Sequence, residues 1–181
     1  MIKTYVLEIE SHSELSSSLR ALCSQNDITA EQEILVQAFT CLTQKTAVAD
    51  IIGAIQTVLP NAKIVGTSTG SWIAGQRYNA QHTILQFCIF QHSQIKTLLI
   101  PQCEENLSEL ASLIAQRLVN DDTRLMLLFS SPAIQQAGLL LDELCLLNPD
   151  IVLAGGYSSQ GSTSEPQLQF TEHGITSKGS R

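Results

Sequence analysis

The chain has 181 residues, 44% of them hydrophobic and 15% charged, which fits one globular domain with its own core and excludes a disordered segment. Its formal net charge is −7, and its ten lysines and arginines stand far apart, so there is no basic stripe for nucleic acid or for an anionic membrane surface. No apolar run is long enough for a signal peptide core or a bilayer span, so no membrane insertion is expected.

In chain order, Thr4–Ile9 alternates weakly and reads as a short edge strand. Ser13–Ser24 places Leu15, Leu19, Leu22 and Cys23 at helical spacing, with Ser11 or Ser13 as the N-cap. Ile34–Phe39 is a compact apolar run, a buried strand. Thr46–Leu59 gathers Val48, Ile51, Ile52, Ile55, Val58 and Leu59 on one face of a helix stopped by Pro60. Lys63–Thr67 is a second buried strand, and it runs into a glycine-rich turn. After the polar stretch Ser71–Gln81 come Thr83–Phe90 and Ile95–Ile100, read as a strand hairpin across the short link Gln91–Gln94. Glu105–Val119 is a helix with acidic residues in its first turn. Arg124–Phe129 is a strand, Ala133–Leu147 a helix and Ile151–Gly155 a strand. Gln167–Phe170 and Gly174–Thr176 begin another hairpin, after a loop over Ser159–Glu165.

The five cysteines are Cys23, Cys41, Cys88, Cys103 and Cys145, an odd count without C-x-x-C spacing. A disulfide framework is not expected and a cytoplasmic location fits. Cys88 and Cys145 lie inside apolar runs and read as small hydrophobes.

Two segments about ninety residues apart share one order. L-V-Q-A-F-T, a helix and P-N-A-K-I-V-G-T-S-T-G are matched by L-M-L-L-F-S, a helix and P-D-I-V-L-A-G-G-Y-S-S. Phe39 then aligns with Phe129, Pro60 with Pro149 and Gly66 with Gly155, over spacers of twenty and nineteen residues. The expected fold is α/β: a mixed sheet flanked by helices, in one domain over 1–181. It is built from two related strand-helix-strand-turn-strand-strand units, about 32–101 and about 123–181. The second unit is shorter after its turn than the first, which reads as truncation.

Gly66-Thr67-Ser68-Thr69-Gly70 fits G-x-S-x-G. A nucleophile elbow needs a helix after the turn, and Ser71–Gln81 has no helical period. Asp121 or Asp142 with His173 would complete a triad order, but Asp121 and His173 lie in polar stretches, and the second turn does not retain the pattern. A hydrolase using Ser68 therefore stays a rival reading, and no catalytic residue is assigned. The same missing helix excludes a dinucleotide fingerprint, and the P-loop spacing is absent. What remains is a pair of glycine-rich turns at the carboxyl ends of buried strands, the usual crevice for ligands in α/β sheets. The candidate ligand-binding residues are Gly66, Thr67, Ser68, Thr69 and Gly70 from the first turn. The second turn adds Gly155, Gly156, Tyr157 and Ser158. Tyr157 offers a ring and a hydroxyl. Trp72 reads as packing, and Arg77 as a surface residue or a partner for a carboxylate.

From Gln32 to Lys178 the sequence resembles the amino-terminal part of the FIST domain. The resemblance rests on Ile34–Phe39 and the following helix, on P-N-A-K-I-V-G-T-S-T-G-S-W, and on N-P-D-I-V-L-A-G-G-Y-S-S. The second turn departs slightly from the family's pattern in Tyr157 and Ser158. The resemblance implies a bacterial sensory domain, not an enzyme. Its output would be a diguanylate cyclase, histidine kinase or chemoreceptor part, and its ligand an amino acid or similar small molecule. Some relatives bind haem and respond to nitric oxide, which would need an axial ligand such as His82, His92 or His173, with His12 the fourth histidine. No spacing marks a metal site. Dimerisation is common in signalling modules, but no interface for a homodimer is specified. An interaction module without a small ligand is the remaining alternative.

Overall fold

The computed structural model describes residues 2–74, 77–79, 82–101, 106–131, 137–158 and 166–178, and of His12, Ala74, Arg77, Asn79, Ala137 and Lys178 the backbone alone. The elements are β1 (Ile2–Ile9), α1 (Leu15–Gln25), β2 (Glu33–Thr40), α2 (Lys45–Val58), β3 (Lys63–Ser68), β4 (Trp72–Ala74), β5 (Arg77–Asn79) and β6 (Thr83–Phe90). They continue with α3 (Leu107–Leu118), β7 (Leu125–Ser130), α4 (Ala137–Leu147), β8 (Val152–Tyr157), β9 (Gln167–Thr171) and β10 (Gly174–Lys178). The expected loop over 159–165, the first residues of the helices read from Glu105 and Ala133, and Cys103 lie outside the described residues.

The architecture is the expected mixed α/β sheet flanked by helices. Six strands pair in the order β1-β6-β2-β3-β9-β10. β2 and β3 are parallel, so the chain must cross over between them, and α2 is that crossover. All other neighbours in this sheet are antiparallel. The apolar face of α2 (Val48, Ile51, Ile52, Ile55) and Leu15 and Leu19 of α1 pack on Ile34, Val36, Ile64, Leu85, Phe87, Leu168 and Phe170. Fully burying a side chain of this size contributes about 1.5–3 kcal/mol, so this cluster is the main stabilising core.

A second cluster lies apart. α3 and α4 place Leu110, Ala111, Ile114, Leu140 and Leu144 around Met126 of β7, which pairs in parallel with β8. α3 starts as its sequence demands: Asn106 caps it, accepting the Ser108 and Glu109 amides through its side chain.

Three expectations are corrected. Ile95–Ile100 is not a strand. The hairpin needed a free edge on β6, and β1 occupies that edge from Ile2 opposite Phe90 to Ile9 opposite Thr83. The segment instead crosses toward the second cluster, where Leu98 and Ile100 pack. It is tethered by the Ile95 N–H on Glu33 Oε1 at 2.7 Å and by the Thr97 hydroxyl on Glu172. Neither Ser11 nor Ser13 caps α1. Their hydroxyls bond each other at 2.8 Å, and a 3-10 turn over His12–Glu14 leads into the helix. Cys145 is exposed on α4, whereas Cys88 is buried as expected. Burial pushes the thiols of Cys88, Cys23 and Cys41 up, which keeps them protonated.

Candidate functional site

The two parallel pairs have the same register at their carboxyl ends. Ala38 faces Gly66 in the first pair, and Leu128 faces Gly155 in the second. One hydrogen bond then closes each turn: Thr69 N–H on Thr40 O and Ser158 N–H on Ser130 O, both 2.8 Å. Thr69 and Ser158 thus occupy matching positions. The equivalent rings of Phe39 and Phe129 meet edge to face, centroids 5.6 Å apart.

Strand β9 ties the two turns together. Its edge serves the first: the Leu168 N–H donates to Ser68 Oγ at 2.9 Å, and Thr67 Oγ1 donates to Leu168 O at 3.3 Å. Its side chains serve the second. Gln169 Nε2 donates to Ser158 Oγ at 2.7 Å, and Ser131 Oγ donates to Gln167 Oε1 at 3.2 Å. Nearby, Thr40 and Thr83 share a hydroxyl bond of 2.7 Å. The buried polar residues Thr40, Thr67, Ser68, Thr83, Ser131, Ser158 and Gln169 therefore gather at one seam. Buried hydroxyls and amides are costly unless paired, and here each has a partner.

The predicted residues divide into two kinds. Gly66, Thr67, Ser68 and Ser158 are buried. A Cβ on Gly66 would lie 2.2 Å from the Phe170 ring, so this glycine makes room for packing. Gly155 has φ +145°, and a Cβ there would meet Leu128 O at 1.8 Å, so it too is required by the backbone. Gly156 is open, Tyr157 is 53% exposed, and Thr69 and Gly70 are half-buried. These are the more accessible of the predicted residues. Trp72 packs as expected, its Nε1–H on His82 O at 3.0 Å. The side chain of Arg77 lies outside the described residues.

Ser68 has none of the exposure of an elbow nucleophile: it is 0% exposed and ends a strand followed by the β4–β5 hairpin, not by a helix. Asp121 and Asp142 are exposed, and His173 leans on Glu172 with Nε2 at 3.3 Å. Haem does not fit the described histidines either. His82 has Nδ1 3.5 Å from Glu8, His92 is exposed and His173 is 64% exposed beside a carboxylate, all polar or solvated settings.

Sequence reading missed Gln167 and Gln169. The signal was the Q-L-Q alternation, which puts both amides on one face of β9. It also missed the grouping of Glu8, Glu10 and His82, whose ligand atoms lie within 4.8 Å of one another and could hold a metal ion. These residues meet because β1 and β6 are antiparallel, with Ile9 opposite Thr83; the seventy-odd intervening residues hide this in the sequence.

The fold is thus a mixed α/β domain whose two glycine-rich turns both bond to one strand, β9. A family model, FIST N domain, matches residues 34–180, and the chain belongs to the FIST family, a sensory domain family of signal-transduction proteins. No curated protein and no solved structure matches the chain. No helix among the described residues is long and apolar enough to cross a membrane.

Proposed function

We propose that this domain senses a small polar molecule, an amino acid or similar, at the seam where the two glycine-rich turns meet β9. Thr69, Gly70, Gly156 and Tyr157 contact the ligand. Thr67, Ser68, Gly66, Gly155 and Ser158 hold the turns in place from beneath. The observation that carries this reading is the convergence of both turns, from different units, on Leu168 and Gln169 of one strand. A ligand held between units acts by preferring one packing of them over another, and only that differential affinity transmits a signal to an output domain, such as a diguanylate cyclase, histidine kinase or chemoreceptor part.

The test is a thermal-shift screen of free amino acids on this protein. A ligand at a hundred times its dissociation constant adds about 2.7 kcal/mol of stability. Tyr157→Ala and Gly156→Val are expected to abolish that shift and the output response while leaving the ligand-free melting curve unchanged. Unchanged ligand shifts and output in both variants would remove the site assignment. Gly66→Val is unsuited to this purpose, because it attacks packing first.

A protein-interaction module is the second reading, supported by the exposed Leu125, Leu146, Leu147 and Val152 of the second unit. It predicts a stable complex with the output domain that no small molecule alters.

A further inference from the structure

A chain of net charge −7 has few cations to place, yet three of its ten lysines and arginines line one cleft. Lys63, Lys96 and Arg117 border it together with His173, around a volume of about 330 Å³. They come from four separate places: the first residue of β3, the crossing segment 95–98, the last turn of α3 and the β9–β10 turn. Leu98 and Leu118 give the cleft an apolar wall.

Glu172 lies at this cleft with its side chain only 6% exposed. It accepts the Ile64 N–H at 2.9 Å and the Thr97 hydroxyl, and it faces Lys63 Nζ at 3.8 Å and His173 Nε2 at 3.3 Å. One carboxylate thus answers one ammonium and orders the crossing segment through Thr97. The side chains of Lys96 and Arg117 make no hydrogen bond or ion pair with any described residue. The last-turn position of Arg117 suits the helix dipole. That explains Arg117 alone, and not why Lys96, from another element, lines the same cleft. Like charges brought together from different elements repel weakly in water, and an anion between them reverses the sign.

We propose that this cleft binds a small organic dianion, a phosphate monoester or a dicarboxylate, with its charged head between Lys96 and Arg117 and its body against Leu98 and Leu118. The site is distinct from the turn seam. Lys63 begins β3 and Ser68 ends it, so the two lie roughly 17 Å apart along the strand. A ligand here clamps the crossing segment and the end of α3 onto the β9–β10 turn, and so bears on the strand that both glycine-rich turns grip.

The experiment is a titration of the ¹⁵N-labelled 181-residue chain with phenyl phosphate and, separately, with succinate, followed by amide shifts. Saturable shifts are expected at Lys96–Leu98, Arg117–Leu118 and His173, with one probe or both; the stronger probe identifies the head group. The Lys96→Gln/Arg117→Gln variant changes only exposed side chains, and its spectrum shows whether the fold is kept. It should weaken binding at least tenfold, and raising salt from about 50 to 300 mM should weaken wild-type binding several-fold. No saturable shift with either probe, or equal binding by the double variant, overturns the proposal.

Discussion

The two strand-helix-strand units share a local design and differ in what surrounds them. In the first, β2 is flanked by β6 and β3 by β9, within a six-stranded sheet. In the second, among the described residues, β7 and β8 pair only with each other. Leu35 of β2 is 8% exposed, while its counterpart Leu125 is 54% exposed. Lys63 and Val152 hold matching positions, so the first unit places a charge and the second an apolar side chain at that point. α3 and α4 cover one face of β7–β8, and Leu125, Val152 and Ala154 are exposed on the other. Parallel strands are normally covered on both faces. Identical register therefore does not dictate equal burial: pairing is local, and burial depends on which distant strands arrive.

The comparison predicts unequal costs for equivalent changes. The largest effect should come from Gly66→Val, which forces a side chain into the Phe170 ring and Ala38 O. Overpacking of this kind costs about 1–3 kcal/mol or more, and here all three of the nearest contacts are under 3 Å, so loss of a cooperative melting transition is expected at about 3 kcal/mol or beyond. Gly156→Ala meets nothing within 4 Å and should stay within about 0.5 kcal/mol by chemical denaturation. Next comes Ile64→Ala, which leaves a cavity beneath α2 and should cost about 2–5 kcal/mol. Val152→Ala, on the exposed strand, should again be within about 0.5 kcal/mol. If the Val152 variant proved as costly as the Ile64 variant, the second unit would be as buried as the first and the contrast would collapse. Ser68→Ala follows: it strands the Leu168 N–H in a buried setting and should cost about 1–3 kcal/mol, read as a shift in denaturant midpoint.

The sequence made most elements legible because their patterns are local. The apolar run bounds Thr83–Phe90 correctly, and periodicity with Pro60 places α2 to within one residue at each end. Ile95–Ile100 misled because its apolar run says nothing about whether an edge is free; β1, which precedes the unit in the chain, occupies it. The turns were found as glycine-rich segments, but their roles were not. Gly66 owes its identity to Phe170, a hundred residues on, and Ser68 to the Leu168 amide. Glu8, Glu10 and His82 likewise meet only through strand register.

A smaller effect than these losses tests whether the two units are coupled at all. Phe39 and Phe129 hold matching places in their strands and meet edge to face at 5.6 Å. Aromatic pairs of this geometry contribute about 0.5–1.5 kcal/mol beyond area burial. Each single Phe→Leu change removes the ring contact but keeps an apolar side chain, so a double-mutant cycle isolates the pair. A coupling of about 0.5–1.5 kcal/mol is expected by denaturant unfolding. The same cycle repeated with a ligand bound at the seam carries more information. A ligand that draws the units together should enlarge the coupling, and one that separates them should reduce it, because reciprocity requires the ring contact to favour binding by as much as binding favours the contact. Zero coupling in the ligand-free protein would mean that the two rings are neighbours without energetic consequence. The seam would then transmit through the hydrogen bonds of β9 alone.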